Sequence, residues 1–580
     1  MEALAEQLKK ATLISKPTGL VTHDDVRLHR STFKTEDHVE NSRRVSDTMA
    51  YINHILPYHR PTIDYHRDNE SMIDDHASRQ LILVDNYPII DRSIVELTHD
   101  KTYVEYVSSC FDDMMARQLQ GKLTDDEKAS IKNKAKKTPD NYIFKFDMDM
   151  YINQHSFEAA MLSVSGTLAA VEKVMADEWS SAMTVLRPPG HHAHRAGKDG
   201  KPSGFCFFNN VAVAANYLRI KYGYKRILIL DWDVHHGDGT QDIFKDTDEV
   251  LFISLHCFDK GMFYPEKSGD SEFIGQGKGE GYNINVAFDI FRTKRLVDED
   301  YTYLFDTLLM PIIKEYDPEF ILVSSGFDSC RGDPLADMMI SPRTYYHILR
   351  RLQTIQTKIV VCLEGGYNLN NVKDGTYSVI SSLLDISDQH YEQATKNINT
   401  KQKRSGIHKS FDDHFTNKTW QLGMIDTSIV IPQQFIIDQC RSLITTISNK
   451  WPSIDWQLIS DSLTKASIGR LMIDDMTANI KIPNIDYIGV MSMTMSFGSI
   501  NHRKFTRAIS TLQSTAIDHC RLVYYDDEDV NTISIEWLRP LTATDRCLMI
   551  DDSHAVVDIG MYSIDVNVIN AAKRIASIVE

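Results

Sequence analysis

The stretch from Arg226 to Gly239, RILILDWDVHHGDG, joins a short apolar run to a cluster of ionisable side chains. The run at residues 226–231 is almost continuously apolar, which is typical of a strand buried on both faces of a parallel sheet. Helical segments such as residues 211–223 fit the crossovers between such strands. Similar runs are AMTVLR (182–187), EVLFISLH (249–256), EFILVSSG (319–326) and KIVVCLE (358–364). The pattern predicts an α/β fold with a central parallel sheet.

Ionisable residues follow these strands at their carboxyl ends, where open parallel sheets place their chemistry. Asp233 and His235 alternate along the end of the quoted strand, so their side chains point to the same side. Asp328 closes the strand 319–326 and is either a loop-capping residue or a third ligand. Two carboxylates and one imidazole would form a zinc site with a position left open for water, as catalysis requires.

Two other strand ends carry groups suited to catalysis. His191 and His192 follow the strand 182–187 and are candidates for proton transfer near neutral pH, although either could instead bind a metal. Tyr367 follows the strand 358–364 behind two glycines that allow a sharp turn. Its hydroxyl could donate a hydrogen bond to a developing oxyanion.

Five ordered motifs together resemble the class II histone deacetylases of the fungal type. They are RPPGHHA, GFCFFNNVAVAA, DWDVHHGDGT, SSGFDSCRGDP and LEGGYNL, and the resemblance covers most of residues 20–385. It implies a three-layer α/β/α domain of the arginase/deacetylase type with a central parallel sheet. It also implies zinc-dependent hydrolysis of acetyl-lysine, which releases acetate and lysine.

The resemblance also implies roles for single residues, motif by motif. His192 is similar to the general base and acid, and His191 to its electrostatic partner. The residues expected to bind zinc are Asp233, His235 and Asp328. Those expected to orient the histidines are Asp231 and Asp238, and Tyr367 is expected to polarise the acetyl carbonyl.

Substrate and potassium sites follow from the same resemblance. The substrate-binding residues implied are the Gly204 carbonyl, the channel residues Phe205 and Tyr264, and the rim residue Asp149. The residues matching a first structural potassium site are Asp231, Asp233, His235, Ser254 and Leu255. Those matching a second are Phe244, Thr247, Val250 and Tyr282.

Three departures from the family pattern concern the cleft. The loop HRAGKDGKPS (194–203) is longer than usual and basic, which puts the substrate preference in question. The segment HVENSRR (38–44) lacks both prolines of the family motif, while Arg44 can still serve the internal channel. The family usually has Phe at the position of Tyr264. Some class II members with poor activity carry His at the position of Tyr367, so Tyr here favours full activity.

The length of 580 residues predicts more than one domain. We expect a catalytic domain at 1–392, a polar linker at 393–415 and a smaller α/β domain at 416–580. The position of the last domain resembles that of the C-terminal domain found in fungal-type class II deacetylases. The domain is therefore expected to support homodimerisation and assembly with corepressor subunits.

The net charge and the composition limit the classes of partner that this chain is expected to bind. The net charge of −17 argues against direct nucleic-acid binding and suits a basic partner, such as an acetylated histone tail or another acetyl-lysine protein. No apolar run predicts a membrane span, and the scattered cysteines suit a nuclear protein, with a cytoplasmic pool left open.

The alternatives to a histone deacetylase are an acetylpolyamine or non-histone deacetylase and a scaffold that binds acetyl-lysine. An arginase-type enzyme is disfavoured because it needs additional carboxylates to hold two metals, and GFDSC offers only one carboxylate at its site.

Overall fold

A computed structural model describes the chain in segments. Side chains are described for residues 16–31, 38–56, 81–109, 150–290, 296–336, 338–387, 390–391 and 432–467. Backbone alone is described for residues 144–145, 487–489, 492–497, 520–527, 530–537, 548–550 and 556–558. The expected linker at 393–415 lies outside the described residues. Within them, no helix has the length and apolarity needed to cross a bilayer.

The chain divides into two compact units. The first contains Met1–Asp298, Met310–Ser387 and Leu443–Ile454, and the second contains Glu299–Leu309, Asp388–Ser442 and Asp455–Glu580. A short stretch beyond the expected linker thus belongs to the first unit. The domain boundaries at 392 and 416 stay a prediction.

The first unit is built on an eight-stranded sheet in the order β2-β1-β5-β10-β9-β6-β7-β8, and every neighbouring pair is parallel. Its strands are β1 (Thr18–Val21), β2 (Leu81–Val84), β5 (Ser181–Thr184), β6 (Ile227–Asp231), β7 (Val250–Cys257), β8 (Asn283–Phe288), β9 (Phe320–Ser325) and β10 (Ile359–Leu363). A separate antiparallel pair joins β3 (Phe144–Lys145) to β4 (Tyr151–Ile152). All residues of β6 to β10 are buried, as the apolar sequences of β6, β7, β9 and β10 predict.

Helices flank this sheet and complete the three-layer α/β/α architecture of the arginase/deacetylase type. They are α1 (Arg43–Ile55), α2 (Arg92–Val95), α3 (Ser156–Met175), α4 (Asn210–Tyr222), α5 (Asp238–Phe244), α7 (Met310–Tyr316), α8 (Pro342–Leu352) and α9 (Leu369–Leu383). The helix α4 matches the predicted crossover at 211–223. It begins where the Asn209 side chain accepts a hydrogen bond from the Ala212 N–H at 2.9 Å, and it ends at Gly223, whose φ is +72°.

The register of the sheet determines where the site forms. Asp231, the last residue of β6, pairs with Ser324 of β9 on one side and with Ser254 of β7 on the other. Because all strands are parallel, their carboxyl ends meet at one edge. Four of the five predicted strands are confirmed to within one residue at each end, and β5 ends three residues before the end of its predicted run. The short strands β1 and β2 and the strand β8 were not predicted.

The second unit contains both helices and strands, and the expected α/β domain at 416–580 stays a prediction. Its helix α6 (Asp298–Leu304) begins at the last residue of the first unit and continues as a π-helical turn at Phe305–Leu309. The helix α10 (Gln434–Ile447) begins in the second unit. A four-stranded antiparallel sheet has the order β11-β12-β14-β13, and β15 pairs with β16. These strands are β11 (Tyr487–Gly489), β12 (Ser492–Phe497), β13 (Cys520–Asp527), β14 (Val530–Trp537), β15 (Leu548–Ile550) and β16 (Val556–Asp558).

Candidate active site and metal centre

Three potential metal ligands converge beyond the carboxyl ends of β6 and β9. The His235 Nδ1 atom lies 3.0 Å from Asp233 Oδ1 and 3.1 Å from Asp328 Oδ2. Both carboxylates are fully buried, and one ligand atom from each of the three residues lies within 4.8 Å of the others. In the described part of the chain, no other group of three His, Cys, Asp or Glu side chains has this geometry.

The backbone fixes the two carboxylates. Asp233 Oδ2 accepts a hydrogen bond from the Gly365 N–H at 2.7 Å, and Asp328 Oδ1 accepts one from the Val234 N–H at 3.0 Å. A Cβ on Gly365 would lie 2.4 Å from Asp233 Oδ2, so the loop that follows β10 can pass here only with a glycine at this position. Each carboxylate therefore keeps a defined direction toward the point where the ligand atoms meet.

This donor set fits a metal ion. Two buried carboxylates beside one imidazole concentrate negative charge in a water-poor place, which favours a bound cation. A tetrahedral zinc with bonds of about 2.0–2.2 Å places its ligand atoms about 3.4 Å apart. The observed spacing of 4.8 Å or less is close enough for small side-chain shifts to complete such a site.

The electrostatics of the site agree with this fit. Burial by itself would lower the pKa of His235, but hydrogen bonds to Asp233 and Asp328 raise that pKa to about 10. Burial, followed by the charge of Asp233, raises the pKa of Asp328. Burial also opposes ionisation of Asp233, but the charge of His191 and the hydrogen bond with His235 hold its pKa well below the usual range. Without a cation, a proton on His235 neutralises part of the charge that a metal would otherwise balance.

The first histidine–aspartate pair lies deep in the site. His191 Nδ1 is 2.9 Å from Asp231 Oδ2, and Asp231 Oδ1 accepts a hydrogen bond from the Asp233 N–H at 3.0 Å. The buried Glu364 holds the backbone of the same loop, because its Oε2 accepts hydrogen bonds from Gly190 N–H at 2.6 Å and His191 N–H at 3.2 Å. Glu364 was not predicted as a site residue, although it is the second residue of the motif LEGGYNL.

The second pair joins His192 to Asp238, the first residue of α5. His192 Nδ1 lies 2.7 Å from Asp238 Oδ1. The other oxygen, Asp238 Oδ2, lies 3.0 Å from His194 Nε2 and 3.3 Å from Lys198 Nζ. Sequence reasoning predicted the pair but missed the two further partners of its carboxylate.

The two histidines differ in proton affinity. Burial, and then the charge of His191, lower the pKa of His192 to about 3, although Asp238 opposes both. Burial acts in the same direction on His191, but Asp231 and Asp233 outweigh it and raise the pKa of His191 well above its ordinary value. At neutral pH the arrangement therefore has a cationic His191 beside a neutral His192 that can accept a proton.

The loop after β10 presents Tyr367 to the site. Asp333 Oδ2 accepts hydrogen bonds from the backbone N–H groups of Tyr367 at 2.7 Å and Asn368 at 3.0 Å. Burial, together with the charge of Asp328, raises the pKa of Tyr367, so its hydroxyl keeps the proton that it can donate. The role of Asp333 was missed, although the motif SSGFDSCRGDP contains it.

A fully buried ionic cluster supports this loop from behind. Glu40 Oε1 lies 3.1 Å from Arg44 Nη1 and accepts a hydrogen bond from Arg187 Nε at 2.7 Å. Arg44 Nε donates to the Gly366 carbonyl at 2.7 Å, and its guanidinium lies 5.3 Å from the centre of the Tyr367 ring. The structure thus places Arg44 beside the site, where an internal channel was expected, while its role there stays a prediction.

The expected channel residues surround His192 and Tyr367. The ring of Phe205 meets the Tyr367 ring edge-on at 5.9 Å, and the ring of Tyr264 lies 5.0 Å from that of His192. Gly204 has a φ of +57°, and a Cβ there would lie 2.3 Å from the His192 ring. Their roles toward a substrate stay predictions. The expected rim residue Asp149 lies outside the described residues.

The candidate potassium ligands form two groups near β7. In the first, Ser254 pairs with Asp231 in the sheet, and Ser254 and Leu255 are buried. In the second, the Phe244 carbonyl accepts a hydrogen bond from Thr247 N–H at 3.2 Å, close to the start of β7 at Val250. The Tyr282 carbonyl accepts one from Phe252 N–H at 2.9 Å. These contacts bring members of each group together, and their function stays a prediction.

Comparison with known proteins agrees with the site. A family profile described as the histone deacetylase domain matches residues 38–383. The solved HDA15 HD domain superposes with a TM-score of 0.55 and 25% identity, covering 78% of this chain and 99% of that one. The profile covers more than half of the chain, and the structural likeness agrees with the fold described above.

Three curated relatives extend the comparison. Histone deacetylase HDA1 of Candida albicans is 41% identical over 239 residues, which is 40% of this chain and 28% of that protein. Histone deacetylase clr3 of Schizosaccharomyces pombe is 30% identical over 64% of this chain and 49% of its own length. Polyamine deacetylase HDAC10 of Danio rerio is 40% identical over 41% of this chain and 34% of its own length. The chain thus spans less than half of each of these relatives. It belongs to the histone deacetylase family, in the class II group that its ordered motifs indicate.

Proposed function

We propose that this chain is a zinc-dependent lysine deacetylase that acts on acetylated histone tails and releases acetate and lysine. One observation carries the proposal. The metal-binding group of Asp233, His235 and Asp328 lies at the same sheet edge as a buried His192–Asp238 pair that can transfer a proton. Hydrolysis of an amide needs both functions at one place.

Zinc bound by these three residues would supply Lewis-acid chemistry, polarising a carbonyl oxygen and increasing the acidity of a water molecule. His192 faces Asp238 through Nδ1, so Nε2 is the atom that accepts a proton from water. The same atom then returns a proton to the amine nitrogen of the departing lysine. His191, held cationic by Asp231 and Asp233, keeps His192 neutral before the reaction.

The remaining residues bind and orient the acyl-lysine. The Tyr367 hydroxyl donates a hydrogen bond to the acetyl oxygen as negative charge develops there. The Gly204 carbonyl accepts the substrate amide hydrogen, while Phe205 and Tyr264 enclose the aliphatic part of the lysine. We assign the rim position to Asp149.

Structural potassium forms part of the same proposal. The first site comprises Asp231, Asp233, His235, Ser254 and Leu255, and the second Phe244, Thr247, Val250 and Tyr282. Buried carboxylates at the end of β6 support the first, since they need compensating positive charge. A stability increase in potassium that lithium does not reproduce would support both sites.

We further propose nuclear action in transcriptional repression, based on the relatives named histone deacetylases. Residues 416–580 would support homodimerisation and contacts with corepressor subunits, with residues 1–392 as the catalytic domain and 393–415 as the linker. The net charge of −17 agrees with attraction to basic tails. Size-exclusion chromatography with light scattering tests the dimer directly.

Acetylpolyamine hydrolysis is the second candidate, because a polyamine deacetylase is 40% identical over 41% of the chain. The discriminating experiment compares acetylated histone and non-histone peptides with acetylspermidine, each with and without a chelator. Preference for acetylspermidine would replace the histone proposal. A protein that binds acetyl-lysine peptides but hydrolyses no substrate, even with zinc, would be a scaffold.

The Tyr367→Phe variant tests the mechanism. Loss of one oxyanion donor lowers kcat by about 10²–10³-fold, while zinc content stays unchanged because Tyr367 is not a ligand. Activity and bound zinc, measured on the same sample, check both statements. Full activity in this variant would contradict the role assigned to Tyr367.

A further inference from the structure

The carboxylate of Asp238 meets three basic side chains, and the proposed mechanism uses only one of them. Oδ1 faces His192 Nδ1 at 2.7 Å. Oδ2 faces His194 Nε2 at 3.0 Å and Lys198 Nζ at 3.3 Å. The Asp238 side chain is 1% exposed, whereas those of His194 and Lys198 are 19% and 36% exposed. His194 and Lys198, hereafter the outer donors, therefore bind this carboxylate from the solvent side.

The loop at residues 194–203 holds the outer donors in place. Lys198 and Lys201 exchange backbone hydrogen bonds of 2.8 and 3.0 Å, which close the turn between them. The Arg195 carbonyl accepts a hydrogen bond from the Asp100 N–H at 2.9 Å. Gly197 packs so closely that a Cβ would lie 2.5 Å from the Tyr103 ring. The loop is thus anchored to the rest of the unit between the two outer donors, at Arg195 and Gly197.

The chemistry of a buried carboxylate makes these contacts consequential. An ionised oxygen left without a donor in a water-poor site is strongly destabilised, so a carboxylate with only one donor rotates or draws in water. Two donors on Oδ2 remove that tendency and leave Oδ1 directed at His192. Asp231 shows the alternative solution, because its second oxygen accepts a hydrogen bond from the Asp233 backbone.

We infer that His194 and Lys198 are positioning residues for His192 and act through Asp238. The inference rests on the proposed function, because it assumes that His192 exchanges protons with the substrate. Lys198 Nζ also lies 5.2 Å from the centre of the Tyr264 ring, so the same side chain joins the carboxylate to the expected channel wall. The basic loop that departs from the family pattern thereby becomes part of the catalytic arrangement.

The kinetic test uses the zinc-loaded full chain and an acetyl-lysine peptide. The double variant His194→Gln/Lys198→Met lowers kcat by about 10- to 100-fold, the usual effect of losing outer hydrogen-bond partners, with KM changed less than about 2-fold. Lys198→Arg keeps most of the activity, because it retains a donor. The matched control is Lys201→Met, which removes the same charge from an exposed position in the same loop and leaves kcat unchanged.

A second readout needs no turnover. In protein with ¹⁵N-labelled histidine, the Nδ1 proton of His192 gives a downfield NMR signal while it is held by Asp238, and His192→Gln identifies it by removing it. We expect the signal in the wild type, in Lys198→Arg and in Lys201→Met. We expect it to broaden or move upfield in the double variant.

The outcomes separate this inference from the proposed function. A wild type that hydrolyses no acetylated substrate ends the proposed function, while the NMR signal still tests the contact with Asp238. An active wild type whose double variant keeps kcat within about 2-fold and the same NMR signal overturns the inference. It is also overturned if the lost activity only follows a lower melting temperature and lower zinc content, because the outer donors would then merely hold the loop.

Discussion

Two histidine–aspartate pairs stand side by side at one sheet edge, and they differ in what the second oxygen of each aspartate contacts. The rings of His191 and His192 are 4.0 Å apart. Asp231 uses its second oxygen for a backbone N–H inside the site, whereas Asp238 uses its own for two basic side chains near solvent. The inner pair is therefore sealed by the fold, and the outer pair depends on a surface loop.

The carboxylates show the consequence of that difference. Burial raises the pKa of Asp231 to about 6, and the charge of His191 opposes it. Burial acts in the same direction on Asp238, but hydrogen bonds with His192 and His194 hold its pKa well below the usual range. Two pairs of identical composition thus differ in the pKa of their carboxylates because the second neighbours of those carboxylates differ, which motif matching alone does not reveal.

The largest expected effect on kcat comes from replacing Asp238 or Asp231, one at a time, by asparagine. Asp238→Asn lowers kcat by about 10³-fold or more, because the amide can donate to Nδ1 and leave the proton of His192 on Nε2. Asp231→Asn lowers kcat by only about tenfold, the size of an outer-partner loss, since His191 Nε2 still lies 3.9 Å from Asp233 Oδ2. Steady-state kinetics with parallel zinc analysis measure both. Equal losses would show that the pairs do not differ in function.

A glycine beside the outer pair gives the next largest effect. Gly204→Ala places a Cβ 2.3 Å from the His192 ring, and its φ is +57°. The ring must move, and a displacement of about 1 Å lowers activity by about 10²-fold. The control is Gly200→Ala, which has a similar φ of +78° but no atom within 4 Å of the added Cβ. Similar losses in kcat for both variants would assign the effect to backbone strain alone.

Much of the fold and the centre of the site could be predicted from the sequence. Continuous apolar runs predict strands buried on both faces, and β6 and β9 end where Asp233 and Asp328 were expected to meet. The strands β1 and β2 have only four residues each and were not predicted, whereas the equally short β5 was predicted because the apolar run AMTVLR continues beyond it. Their place in the sheet depends on partners distant in sequence, such as β5.

The contacts that support the site could not be predicted from the sequence. Each joins two segments that are separated along the chain, and no motif indicates that these segments meet. Asp333 reaches the Tyr367 backbone, and Glu364 reaches the loop of His191, only after the strands have set their register. The loop 194–203 was recognised as basic and close to the cleft. That two of its side chains contact Asp238 depends on how the loop is anchored, which composition does not reveal.

The smallest expected effect concerns the pH dependence of stability at the outer pair. Burial by itself would lower the pKa of His194, but hydrogen bonds to Asp238 and Asp242 raise it from 6.5 to about 9. Because the pKa is higher in the folded state, the resulting stabilisation is full below pH 6.5 and is lost as the pH rises through 9. His194 is partly exposed, so we expect about 1–2 kcal/mol after solvent screening.

The measurement is the free energy of unfolding of the wild type minus that of His194→Gln, from urea titrations between pH 6 and pH 10. The difference should be largest near pH 6 and should shrink toward pH 10. Burial by itself would raise the pKa of Asp242, but hydrogen bonds with His194 and Lys245 hold that pKa below its usual range. The stabilisation that Asp242 contributes is therefore lost only in acid, outside this pH window. A difference that stays constant over the range would mean that His194 is not held as a cation by Asp238. The outer pair would then resemble the inner one in relying on fixed structure rather than on charge.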